Sequence, residues 1–205
     1  MSATGLRAGA TRASRQLAVA AAVVVGAVVV SGCGASRYER VSCTSNSRQS
    51  IFVLEAQAVP SATLMPCANP LPGGWNVGGF EVRSGLARFW LDSDRAGTRA
   101  AEARLTSRCD VAGATQLSPT TSRDGPPVQR YEAPTVRQPP ATVRYYRFAG
   151  GCVTYRLAFS RQTAPALYDQ ADQLLGFTTR ARYVRGVRRN QRLTLCGAGA
   201  PPCSG

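Results

Sequence analysis

The chain has 205 residues and 25 basic side chains, every one an arginine, against 11 carboxylates; it contains neither histidine nor lysine. That inventory excludes a Ser-His-Asp or Cys-His nucleophile, a Ser-Lys dyad and a lysine Schiff base, so only carboxylate, tyrosine and arginine remain for proton transfer. The net charge of +14 favours anionic partners such as phospholipid headgroups, phosphate-bearing polymers or acidic proteins.

The first element in chain order is a targeting segment. Arg7, Arg12 and Arg15 precede an apolar run, Leu17 to Val30, made of Ala and Val with one Gly, and the small pair Ser31-Gly32 leads to Cys33. Val30-Ser31-Gly32-Cys33 fits the bacterial lipobox, with Val where Leu is usual. Cleavage before Cys33 is therefore expected, with residues 1–32 as a lipoprotein signal peptide and Cys33 as the lipid-modified first residue of the mature chain. The run of 14 residues is shorter than the ~20 that cross a bilayer as a helix, so the lipid is the expected anchor. Without the three leading arginines, 22 Arg face 11 carboxylates, a mature charge of about +11. Residues 33–50 read as the lipidated cysteine and a short tether, and residues 51–205 as one extracytoplasmic domain on the outer side of the cell membrane, where nucleic acid is not an expected partner.

Six further cysteines, Cys43, Cys67, Cys109, Cys152, Cys196 and Cys203, are an even set in an oxidising compartment. The absence of both C-x2-C spacing and histidine argues against zinc, and neither a metal nor a cofactor is expected. The expected bonds are Cys43–Cys67 across a proline-rich crossing, Cys109–Cys152 between an early helix end and a strand start, and Cys196–Cys203 across the Gly/Pro tail.

Ile51 to Val59 is apolar enough for a strand or a short helix, and Pro60 ends it. Pro66, Pro70, Pro72 and Gly73-Gly74 point to an irregular crossing around Cys67. Phe80 to Leu91 alternates about Ser84-Gly85, which predicts a hairpin. Gly97, Ala101 and Leu105 recur at four-residue spacing and predict a helix from Asp94 to Ser107. Residues 113–142 are proline-rich and read as loops or edges with a short strand at Val128 to Tyr131. Val143 to Phe148 and Val153 to Phe159 predict a second hairpin through Ala149-Gly150-Gly151. Thr163 and Pro165 open a helix with Leu167, Tyr168, Ala171, Leu174 and Leu175 inward and Gly176 as its stop. Residues 180–190 fit another helix or a strand, and Leu193 to Cys196 reads as extended. The order implies an α+β fold: a mainly antiparallel sheet with two or three helices packed on one face, stapled by disulfides.

The acids form no known template. Asp92-x-Asp94 fails the calcium-loop pattern, since Ala103 stands where a bidentate Glu is needed, and reads as a helix cap. Asp169 and Asp172 belong to the solvated side of a helix. Tyr145-Tyr146, flanked by Arg144 and Arg147 and opposite Tyr155 and Arg156, offers either a sugar or phosphate surface or an ordinary half-buried strand. Arg182, Arg185, Arg188 and Arg189 are the densest basic set and the expected contact for an anionic surface.

The strings AVPSATLMPC (58–67), RFWLDSDRAG (88–97), RCDVAGAT (108–115) and FAGGCVTYRLAF (148–159) resemble a group of uncharacterised actinobacterial envelope proteins. The resemblance implies a cell-envelope lipoprotein and no particular reaction. The leading expectation is a non-catalytic, membrane-tethered domain that binds or senses anionic lipids, wall polymers or an envelope protein. The alternatives are an enzyme acting on envelope polymers through two or more of Asp92, Asp94, Glu102, Asp169 and Asp172 in a cleft, and an inhibitor or stabiliser of a neighbouring membrane enzyme.

Overall fold

Among the described residues of the computed structural model, a seven-stranded antiparallel sheet, ordered β2-β3-β4-β8-β7-β6-β5, forms the frame beside a two-stranded ribbon, β1-β9, and three helices. The structure describes residues 41–43, 50–121, 127–135 and 140–204, the side chains of 50–52, 121 and 135 excepted. All belong to one unit, Ala35–Gly205. The expected signal peptide, Cys33 and residues 34–40 lie outside the described residues.

In chain order the elements are α1 (Ser50–Ala58), β1 (Leu64–Ala68), β2 (Trp75–Arg83), β3 (Leu86–Ser93), β4 (Gly97–Thr106), β5 (Thr115–Thr121), β6 (Pro127–Thr135), β7 (Ala141–Phe148), β8 (Gly151–Leu157), α2 (Pro165–Leu174), β9 (Leu175–Thr179) and α3 (Arg180–Gln191). The fold is α+β with the helices on one face of a mainly antiparallel sheet, and both predicted hairpins are present, through Ser84-Gly85 and Ala149-Gly150. Inward positions alternate along the strands. Phe89 and Leu91 of β3, Ala101, Ala103 and Leu105 of β4, and Val153, Tyr155 and Leu157 of β8 enter the main core, which also takes in Leu167, Tyr168, Ala171 and Leu174 of α2. A second cluster gathers Ala56, Met65, Cys67, Tyr183, Val184, Val187 and Leu195, with Cys43 packed against it.

Five expectations differ from the fold. The segment predicted as a helix over 94–107 is a turn followed by strand β4. A repeat at i, i+4 and i+8 suits a strand as well as a helix because four is an even number, and Ala103 fills the inward position between Ala101 and Leu105. The caps proposed at Asp92 to Asp94 therefore have no helix to serve. Instead Asp92 Oδ1 accepts the Arg99 N–H at 2.8 Å and Ser93 Oγ accepts the Arg95 N–H at 3.3 Å, holding the β3–β4 turn. Cys67 and Pro66 lie in a regular strand, β1, whose ribbon pairs Cys67 with Gly176 and Pro66 with Phe177. Gly176 accordingly belongs to β9, and α2 ends at Leu174 when Leu175 turns extended, with φ −88° and ψ 129°. Residues 113–142 supply the edge strand β5 and its inner neighbour β6, longer than the short segment expected.

The six cysteines stand in the pairs expected from the sequence: Cys43–Cys67, Cys109–Cys152 and Cys196–Cys203, with Cα separations of 5.0, 5.8 and 4.7 Å. The middle bond ties the loop after β4 to the neighbouring strand β8, where Thr106 faces Cys152 in register. Gly150 needs its missing side chain. At φ +75° a Cβ would overlap the Ser61 carbonyl oxygen, and the Ser61 hydroxyl donates to the Gly150 carbonyl at 2.6 Å.

Candidate functional site

Helix α3 begins after Thr179, whose hydroxyl accepts the Arg182 N–H at 3.3 Å as an N-cap. Its inward face consists of Tyr183, Val184, Gly186 and Val187, which bury it on the second core cluster. At 3.6 residues per turn, Arg182, Arg185, Arg188 and Arg189 fall within roughly a third of the circumference on the opposite side, and all four are exposed. Arg192, also exposed, continues the same stripe as the C-cap residue. The stripe is wholly cationic, since the last carboxylate of the chain is Asp172. Arg188 and Arg189 in the final turn also complement the negative end of the helix.

Arg180, the sixth arginine of this segment, points inward instead. Fully buried, it donates from Nη2 to the Cys196 carbonyl, while Nε and Nη1 have no partner among the described residues. Burial pulls its pKa down from the ordinary arginine value.

A different polar cluster lies between the large sheet and α2. Arg144 of β7 is buried, donates from Nε to Glu132 Oε2 at 2.7 Å, pairs through Nη1 with Asp172, and lies 4.6 Å over the Tyr168 ring. The Tyr168 hydroxyl donates to the same Glu132 oxygen at 2.7 Å. Burial raises the Glu132 pKa, but the hydrogen bonds from Arg144 and Tyr168 together hold it below the usual carboxylate range. Burial and the bond to Glu132 push the Tyr168 hydroxyl up to about 12. For Arg144, burial favours the neutral form and the two carboxylates more than offset it, so the guanidinium stays charged.

Beside this cluster a cleft of about 410 Å3 opens between β5, β6 and β7 on one side and α2, β9 and the start of the fold on the other. Tyr146, Phe177, Val128 and Leu175 give it apolar walls, and Arg130, Asp172, Asn69 and Thr120 supply its polar groups. Tyr146 and Phe177 meet edge-on at 5.1 Å. Tyr155 lies behind them, its hydroxyl donating to the Gly176 carbonyl at 2.7 Å.

The aromatic and arginine set expected near Tyr145 is divided between the two faces of the sheet. Arg144, Tyr146 and Tyr155 point inward, whereas Tyr145, Arg147, Thr154 and Arg156 alternate outward. On the outer face Arg147 lies 6.0 Å over Tyr131, and Tyr145 shares a groove with Arg104, Arg108 and Thr154. The five acids considered for catalysis are also dispersed. Asp92 holds a turn, Glu102 pairs with Arg88 at 3.6 Å, and Asp94 and Asp169 are exposed. Of the five, Asp172 lines the cleft. Among the described residues no cluster of three or more His, Cys, Asp or Glu is placed to hold a metal, and no helix is long and apolar enough to cross a membrane.

Glu132 and Arg130 were not singled out from the sequence. Their signal was present as period-two spacing: Val128, Arg130 and Glu132 share one side of β6, and the register puts Glu132 opposite Arg144 and Arg130 opposite Tyr146. No family model, curated protein or solved structure matches the chain.

Proposed function

We propose that this chain is a lipoprotein of the cell envelope, anchored through Cys33 on the extracytoplasmic side of the membrane, whose domain binds an anionic surface through the exposed stripe of α3. The observation that carries the reading is that Arg182, Arg185, Arg188 and Arg189 share one exposed helix face with no carboxylate among them. Position adds support. Cys43 packs on the cluster that holds the buried side of α3, and the eight residues from Cys33 to Val41 reach at most roughly 28 Å, so an anchored domain carries this helix close to the bilayer. Each arginine near such a surface contributes up to ~1 kcal/mol, an attraction that salt screens over a Debye length of ~8 Å. The resemblance to actinobacterial envelope proteins points to the same compartment.

The test uses the mature chain with Cys33→Ala on vesicles of phosphatidylcholine with and without an anionic phospholipid. Binding should require the anionic lipid and fall as salt rises. Replacing Arg182, Arg185, Arg188 and Arg189 with Gln should weaken it far more than replacing the exposed Arg83, Arg99, Arg104 and Arg108. Equal losses would reduce the effect to net charge, and no binding at low salt would remove the reading. In cells, Cys33→Ala should release the chain from the membrane fraction, because two or more acyl chains are what hold it there.

A further inference from the structure

We propose that the cleft framed by β6, β7, α2 and β9 is a binding site for a small amphiphilic carboxylate, its head on the Arg130 guanidinium and its apolar body against Tyr146, Phe177, Val128 and Leu175. The cleft volume of about 410 Å3 lies in the range of small-molecule sites, and its lining has their usual character, apolar walls with a few placed polar groups.

Arg130 identifies the head group. Its Nε is buried with no hydrogen-bond partner among the described residues, and the guanidinium lies 5.9 Å over the Tyr146 ring. The acids closest to hand are already engaged: Glu132, two residues along the same strand, and Asp172, across the cleft on α2, both pair with Arg144. Among the described residues Arg130 has no carboxylate partner, which leaves its guanidinium to an acceptor that enters the cleft. A carboxylate is suited to a guanidinium edge, because its two oxygens can meet two parallel N–H groups. The charge of the head follows from Asp172, which lines the same cleft. One negative charge is matched by Arg130, whereas a second would stand against the Asp172 carboxylate. The body of the ligand must be apolar, because the remaining walls are two aromatic rings and two branched aliphatic side chains.

The site is independent of the α3 stripe, since none of its lining residues belongs to α3. The test titrates the mature chain carrying Cys33→Ala with decanoate, decanol, decyltrimethylammonium and decyl phosphate below their micelle concentrations, following backbone amide signals by NMR. Decanoate should shift residues of β6, β7 and β9 saturably, decanol should bind about tenfold more weakly and the ammonium more weakly still. Arg130→Gln should cost decanoate about tenfold and leave decanol unchanged. Gly176→Val provides a second variant that removes no charge: a Cβ there stands 3.4 Å from Cys43 Sγ and 3.6 Å from Asn69 Nδ2, ordinary contact distances, and the added methyl groups narrow the cleft. It should weaken decanoate and decanol together. The fourfold α3 variant should bind decanoate like the parent. Equal affinity for all four head groups, tighter binding of decyl phosphate, shifts confined to α3, or no saturable shift would each overturn the proposal.

Discussion

Arg144 shows how a single side chain decides the middle of this molecule. It is the cation on which Glu132, Asp172 and the Tyr168 ring converge, and its side chain is 5% exposed while those of the two acids are 29% and 46% exposed. Removing the cation leaves Glu132 partly buried with only the Tyr168 hydroxyl. Breaking a buried pair in this way costs several kcal/mol, and the partial exposure of the acids places the loss near the lower end. Arg144→Met should therefore destabilise the domain by about 3 kcal/mol, read as a lower denaturation midpoint in urea. Adding Glu132→Gln and Asp172→Asn should restore much of that loss, because the stranded charges are then gone. Arg144→Lys should recover less, since a single ammonium cannot reproduce the planar geometry that serves two carboxylates from different elements. If Arg144→Met is neutral, the network is incidental to the fold.

Elements were legible where alternation was strict and chemistry punctuated it. Ser84-Gly85 separates two alternating runs, and Gly85 takes the positive φ of +77° that the β2–β3 turn requires. The inward stripe of α2 was readable for the same kind of reason, Leu167, Tyr168, Ala171 and Leu174 recurring at helical spacing behind Pro165. β4 reads as helical because two of its three inward residues are alanines, whose weak hydrophobic contrast lets a four-residue repeat dominate. Its first residues carry positive φ at Gly97 (+78°) and at Arg99 (+51°), and the second is held by Asp92 rather than announced by a glycine. β1 was hidden by Pro66 and by its partner, since β9 lies more than a hundred residues later and such a pairing leaves no local trace. The α3 stripe could be read from residue spacing alone. The cleft could not, because Arg130, Tyr146, Asp172 and Phe177 come from four separate elements and only the register brings them together.

Across the whole molecule, a buried carboxyl group and a partly buried one set opposing pH dependences. Glu55 on α1 is 5% exposed, adjoining Val41, Phe80, Val82 and Phe89, and burial raises its pKa well above 4.5. As pH rises through 4.5 the unfolded chain releases this proton while the folded chain keeps it, so the unfolded state is favoured progressively until the raised folded pKa is reached. Glu132 acts with the opposite sign. Its folded pKa is lowered, so its stabilisation is complete above the ordinary carboxylate range and is lost as pH falls through the folded value. Their sum places the greatest stability at mildly acidic pH, with a decline toward neutrality that belongs to Glu55. Thermal unfolding followed from about pH 2 to pH 8 should show that maximum in the parent chain. Glu55→Gln, which keeps the shape and cannot ionise, should flatten the decline on the neutral side and leave the acid limb in place. Glu132→Gln should lower the midpoint at neutral pH and flatten the acid limb instead. A neutral-side decline that persists unchanged in Glu55→Gln would show that this carboxyl group is not its source.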